Sequence, residues 1–544
     1  MTGVEEEAGP WSGGPRSWLH LVVGRRLVAA GVWDADARAF AAHRVHAELA
    51  AVEAAGGRTP DVEEVYAHLA TSPYLRDADR ARAEEEAIGR TLASGSGAQP
   101  CSAPNRYESL LERYAAPTNG VAPLLADASR FVRSLNRTEG RAGRLVGVAA
   151  GVAAPALVGF VAWTLESARR AGCARLAYVS RDGQILHAIA SRLEAHRPAG
   201  DRLELVYTHG GRRVWHPAGL TPDVLGAEAP GWWIGEGMPA GAPPAPLEML
   251  ALDERDVPEG VAASVREVRR RPVAEQPAQL RALWARADVQ VALGDLSRER
   301  RRLLCAYLAR SGLGEGRWAM VDVGWRGRSA VSLNRALGAE GMTEPLNLYF
   351  GLIKPDAEMT RTGDWAPYLF CRPGPDREAG DLGGGLPSFI EVICSADHGP
   401  VRGFREGLDG VEPVMDPYDT APDEWGMREV QSVILAVTDR VAPFVADLAE
   451  ADLRPALIDL LRLFLHRPDR AEVEAWGPFP FAPDPGGAAA APWVARWSTA
   501  DMLRWAAQGR QPHSFWPQAS RLLAPRAGRS LVELRKRVGA GRPR

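Results

Sequence analysis

Three short apolar runs constrain this chain more than anything else in it. They are RLAYV at 175–179, LELVYT at 203–208 and WAMVDV at 318–323, and LNLYFGL at 346–352 makes a fourth. Each is of strand length, rich in β-branched or aromatic residues, and closed by glycine or charge. Strands buried on both faces read this way. Helical spacing follows two of them, at 184–195 and 329–337. Strand–loop–helix units build a parallel sheet with helices on both faces. The expected class is therefore α/β, with a mostly parallel, doubly wound sheet flanked by helices.

Around that core the chain is patterned for helix. A length of 544 residues allows two to four domains. Residues 1–98 form an expected helical N-terminal region, and 99–125 an expected linker, led by the Ser-, Gly- and Pro-rich string at 93–105, with helical pattern returning over 106–136. The α/β core is expected over 126–372 and a mixed, helix-rich region over 373–544. Within these, 222–260 is a Pro/Gly-rich insertion carrying Trp232-Trp233, and 265–310 is helical and Arg-rich. A further strand is expected at 388–394 and helix at 429–465. Residues 145–165 carry no charge over a length that could span a bilayer. They are mostly Ala, Gly and Val with Pro155 at the centre, so the expectation is an apolar loop and a buried helix starting near Pro155, with no stable membrane span.

Composition narrows the partners. A net charge of -3 gives no electrostatic footprint for nucleic acid, and the basic end at 535–544 reads as a solvated tail. Five cysteines, scattered and without a CxxC, form neither a disulfide framework nor a zinc site. The first ten residues are acidic and lack the pattern of a secretory signal. A cytoplasmic location is expected.

The chemistry concentrates at strand ends, where parallel sheets bind ligands. The first loop is Ser180-Arg181-Asp182-Gly183. Gly183 permits a tight turn, and Asp182 sits at a helix start as a helix cap or a Mg2+ ligand. The second runs from Asp322 through Gly324, Arg326, Gly327 and Arg328 to Ser329. It is a plausible anion cradle, though not a Walker A loop. The third strand end brings His209, Arg212 and Arg213. Two aspartates, several arginines and repeated glycines suit a phosphorylated ligand, because arginine forks match phosphate geometry and Asp182 with Asp322 could share one divalent cation. Glu391, His398 and the aromatics Trp476, Phe479, Phe481 and Trp516 are candidates to border the site from the C-terminal region; for the aromatics, core packing is the ordinary account.

Taken in order, these motifs resemble a poorly characterised bacterial family of predicted hydrolases in the haloacid dehalogenase (HAD) superfamily, often encoded near or fused to glycosyltransferases. The resemblance rests on PALVGFV at 155–161 leading to Ser180-Arg181-Asp182-Gly183, on Arg212-Arg213, and on VDVGWRG at 321–327. YFGL at 349–352, FIE at 389–391, VRGF at 401–404, HRP at 466–468, GPF at 477–479 and WPQ at 516–518 complete it. It spans roughly residues 130 to 525. It implies a phosphohydrolase in glycan or surface-polysaccharide metabolism, with Mg2+ as cofactor. The chain also departs from it. WLHLVVG at 18–24, where the family's N-terminal core carries a nucleophilic aspartate, has none. Aligned on the superfamily motif, Ser180 takes the nucleophile position, leaving Asp182 as acid/base.

Three functions stay open: a HAD-type hydrolase acting on a sugar phosphate or lipid-linked glycan intermediate, a phosphoribosyltransferase-like enzyme suggested by the Asp322–Ser329 loop, and a non-catalytic module that senses a phosphorylated ligand or assists a glycosyltransferase. The sequence does not fix the oligomeric state.

Overall fold

The computed structural model of the protein describes residues 104–530, apart from 137–138, 222–223, 225–245, 354, 356–357, 360–362, 373–381, 383–384 and 483–489. The expected helical region 1–98, the stretch 18–24, Trp232-Trp233 and the basic tail lie outside the described residues. The chain divides into two compact units. Within the described residues, a helical unit holds 104–162, 428–478 and 492–530, and a sheet unit holds 163–427 and 479–491.

The sheet unit is α/β, as its apolar runs require. Strands β1 (Arg175–Val179), β2 (Glu204–Thr208), β3 (Trp318–Trp325), β4 (Leu346–Ile353), β5 (Trp365–Pro367) and β6 (Cys371–Arg372) form one sheet. Its order is β2-β1-β3-β4-β5, with β6 also on β4. Every pairing in it is parallel, with Val179 opposite Thr208, Tyr178 opposite Val321 and Asp322 opposite Tyr349. The ends of β1, β2 and β3 therefore release their loops side by side.

Side-chain alternation assigns the two faces. Ala177, Val179, Trp318 and Met320 enter one core with Trp215, Leu304, Leu308, Leu333 and Leu337. Those partners come from α3 (Arg212–Ala218), α4 (Ala287–Arg310) and α5 (Arg328–Ala339). Tyr178 points the other way. Its hydroxyl lies 3.3 Å from Thr164 Oγ1 of α1 (Ala154–Arg170), and its ring meets His187 of α2 (Gly183–Ala195) edge-on at 5.9 Å. A smaller apolar cluster gathers Val261, Val265, Leu280, Trp284 and Leu293. They come from the helices Glu259–Arg269 and Gln276–Trp284 and from the start of α4, where the sequence predicts helix. The antiparallel hairpin of β7 (Val401–Gly407) and β8 (Gly410–Met415) stacks Phe404 on Tyr307 of α4, ring centroids 4.6 Å apart.

The structure corrects two sequence expectations. Residues 388–394 do not form a strand: 388–393 belong to α6 (Gly385–Ile393). Leu386, Phe389, Ile390 and Ile393 recur at helical spacing, but Val392 is buried too, and a run apolar on every face does not display its period. The apolar stretch before Pro155 is not a loop. It continues the helix Gly140–Val148 through a π turn at Ala149–Ala153 into α1. Proline brings no N–H and crowds the carbonyl four residues back, which here is Gly151, and the widened turn takes up both. Within 99–125 the chain is helical at Arg106–Glu112 and again from Val121, where the sequence pattern predicts helix over 106–136.

The helical unit closes around large aromatics. Tyr107, Phe464, Trp476 and Trp516 are fully buried. The Tyr107 hydroxyl donates to Glu472 at 2.8 Å, and the Trp516 indole donates to the Leu465 carbonyl at 2.9 Å. Trp476 and Trp516 are thus core residues of this unit. The helical stretch Gly140–Arg170 is long and apolar enough to cross a membrane, with a mean hydropathy of 2.2 over its most apolar window, and 89% of that window is buried within the protein. Its apolar surface is used in protein contacts, as in a core helix.

Candidate functional site

In a doubly wound sheet of order 2-1-3-4-5, the chain winds away in opposite directions from neighbours β1 and β3. This leaves a crevice beyond their carboxyl ends. The two loops singled out in the sequence follow β1 and β3. Glycine makes the approach possible. A Cβ on Gly183 would lie 2.7 Å from the Tyr178 carbonyl carbon, so only glycine lets α2 start this close to β1. Gly324 has φ +106°, and a Cβ there would sit 2.4 Å from the Gly351 carbonyl oxygen.

Above the switch point lies a cavity of about 490 Å3. Of the residues predicted for the site, Ser180, Arg181, Asp182, Arg212, Arg213, Asp322, Gly324 and Ser329 line it. The other five are not on its wall. Gly183 shapes the turn beneath, and Gly327 is buried with φ +71° at the N-cap of α5. Arg326 is exposed, and Arg328 is half-buried at the start of α5. His209 is held by Tyr307, whose hydroxyl lies 3.0 Å from its backbone nitrogen and 3.0 Å from Nδ1. The wall also takes in Trp325, Glu391, His398, Tyr418, Asp419, Phe479 and Phe481.

Three of the carboxyl groups that line this space hold their protons near neutrality. Burial, the main cause, lifts Asp182 to about 6 against the pull of Arg181. Asp322 rises to about 7 through burial and the neighbouring Asp182 charge, opposed by the N–H groups of Gly324 and Val323. Glu391 also rises to about 7, through burial and then Asp182, while the Trp325 indole donating to Oε1 at 3.0 Å restrains it. Like charges in a cavity cannot all ionise together, so these groups titrate as a set.

The remaining polar groups are engaged. Ser180 Oγ accepts from the Gly210 N–H at 3.2 Å and lies 3.4 Å from the Gly210 carbonyl. Arg213 pairs with Asp416. His398 Nδ1 donates to the Gly399 carbonyl at 2.7 Å, which in the neutral ring leaves Nε2 to accept from the Tyr207 hydroxyl at 2.6 Å. Burial, then His398, keeps the His209 ring below its usual range. Among the described residues no group of three or more His, Cys, Asp or Glu side chains could hold a metal. Mg2+ does not require one, since it is bound by one or two carboxylates with water and substrate phosphate completing its shell. Asp182 and Asp322, mutually repelling in one cavity, fit that donor set.

No protein-family model matches the sequence, and no curated protein matches it.

The sequence ranked Glu391 and His398 only as border residues. Glu391 rides on α6, where the sequence predicts a strand, and His398 follows that helix in a loop. Trp325 went unremarked beyond its place in the VDVGWRG string. A lone tryptophan after a strand reads as core, and nothing in the chain signals that its indole will reach 66 residues ahead to a carboxylate.

Proposed function

We propose that the switch-point cavity binds a phosphorylated small molecule of the sugar-phosphate class and hydrolyses its phosphoester, as a HAD-like phosphohydrolase of glycan or surface-polysaccharide metabolism. The observation that carries this reading is the pairing of Asp182 and Asp322, both raised towards neutrality, with Arg181, Arg212 and Arg213 on one cavity wall. Carboxyl groups tuned this way exchange protons at working pH, and they cluster at functional sites. The arginines supply forked donors to phosphoryl oxygens. Asp182 takes a proton from the attacking water and returns one to the leaving sugar oxygen as the phosphorus–oxygen ester bond breaks. Asp182 and Asp322 are also the residues that would hold Mg2+, which when bound neutralises charge on the phosphoryl oxygens. Ser180, saturated by Gly210, is not the nucleophile in this scheme.

That same saturation favours a second reading. With the Ser180 hydroxyl held by Gly210, the chain in this reading binds a phosphorylated ligand without turnover, as a cytoplasmic module assisting a glycosyltransferase.

One experiment separates the two: thermal shifts with Mg2+ and a panel of sugar phosphates, nucleotide sugars and phosphoribosyl pyrophosphate, with released phosphate measured in parallel. Stabilisation of wild type that Asp182→Ala and Asp322→Ala abolish, with phosphate release, supports the hydrolase. Stabilisation without release supports the module, and a best response to phosphoribosyl pyrophosphate moves the assignment to a transferase. No shift with any ligand removes the site.

A further inference from the structure

A second cavity, of about 540 Å3, lies in the sheet unit and shares Arg212 and Arg213 with the first. Arg255, Arg300 and Arg402 also face it. Its acidic lining is Glu248, Asp253 and Asp256, so five guanidinium groups stand against three carboxylates, in a chain whose net charge is -3. Three of the arginines are fixed by single ion pairs: Arg300 to Asp256 at 2.9 Å, Arg255 to Asp253 at 3.0 Å, and Arg213 to Asp416. Arg300 is also laid against the hairpin backbone, because Gly403 has no side chain: a Cβ there would lie 2.8 Å from Arg300 Nη1. Arg402, on β7, has no ion-pair partner among the described residues. A guanidinium carries five donors, and one carboxylate uses two at most, so this wall keeps unspent donors, those of Arg402 above all.

We propose that this second cavity receives a second phosphoryl group of the ligand bound in the first, so that the substrate class carries two phosphoryl groups rather than one. Arg212 and Arg213, common to both walls, stand between the two groups. The inference rests on the reading of the first cavity as a phosphate site. The shared chemistry is a small molecule with two phosphoryl groups, set apart on the ring in a sugar bisphosphate and adjacent in the diphosphate of a nucleotide-linked sugar.

The test is calorimetric titration of the full chain, in Mg2+, with glucose 1-phosphate, glucose 1,6-bisphosphate and UDP-glucose, using wild type and Arg402→Gln. Arg402 holds no ion pair, so its replacement leaves the packing intact, and a melting curve verifies this. Glucose 1-phosphate binds wild type and variant alike. The better of the two doubly phosphorylated probes binds wild type at least about tenfold more tightly, the worth of one charge-assisted hydrogen bond, and Arg402→Gln removes most of that gain. Which probe wins identifies the source of the second group. Equal affinity for singly and doubly phosphorylated probes, or a gain indifferent to Arg402→Gln, overturns the inference while leaving the first site standing. Silence from all three probes overturns both.

Discussion

Removing the charge at Asp322 makes the protein more stable at high pH, which is the opposite of the usual result for a site carboxylate. The folded state holds this carboxyl at about 7 against an ordinary 3.8. The folded protein therefore binds more protons than the unfolded chain between pH 4 and 7, and stability falls as pH rises through that window. At about 1.4 kcal/mol per pH unit the full cost above pH 7 comes to about 4 kcal/mol. The side chain is only partly buried, so water relieves part of it, and about 2 kcal/mol is the working figure. Asp322→Asn keeps the shape and drops the charge. Urea unfolding of wild type and variant from pH 4 to 8.5 reads the difference directly. The curves lie closest near pH 4, where the folded wild-type carboxyl is protonated and the unfolded one is about half ionised, and diverge until the variant leads by about 2 kcal/mol at pH 8. In melting temperature this is on the order of 5 °C for a unit of this size. A variant that is no more stable than wild type at pH 8 in metal-free buffer would refute the claim that Asp322 is ionised at a cost.

Three further outcomes follow from the same geometry. Saturating Mg2+ narrows the gap between wild type and Asp322→Asn at pH 8 by stabilising only wild type, which a melting series with and without chelator checks. Trp325→Phe removes the indole donor that restrains Glu391, so its carboxyl titrates above about 7, visible by carbon NMR of labelled glutamate. Gly324→Ala forces a side chain into left-handed backbone 2.4 Å from the Gly351 carbonyl, and urea unfolding registers a loss of about 2 kcal/mol or more.

The sheet was legible because its strands advertise themselves. β1 runs over 175–179 as the sequence predicts, and β2 and β4 depart from their expected bounds by one residue. A buried parallel strand must be apolar throughout and must end where the polar loop begins, so its limits are written in composition. Strand order is not written there. β3 lies beside β1 because of a pairing between residues more than 130 apart, such as Tyr178 with Val321, and that pairing brings Asp182 and Asp322 to one cavity. The site was half legible for the same reason. Residues on the strand-end loops could be chosen by chemistry and position, but Arg326 and Arg328 sit in the same loop and still turn away from the cavity. Glu391 arrives from a helix whose buried faces all read as strand, so its partnership with Trp325 had no local signature.

The division of the chain has a consequence for biosynthesis. Residues 163–427 of the sheet unit are threaded between pieces of the helical unit, and 479–491 return to it after 428–478 have gone to the other. On the ribosome the six-stranded sheet is complete by residue 372, long before the segments that carry Phe464, Trp476 and Trp516 emerge. The sheet can therefore form while the helical unit is still a fragment. Phe479, Pro480, Phe481, Ala482 and Ala490, which wall the cavity, come off later than every other residue lining it. A ribosome stalled near residue 430 would release a chain with its sheet and both aspartates in place but one wall of the pocket unmade.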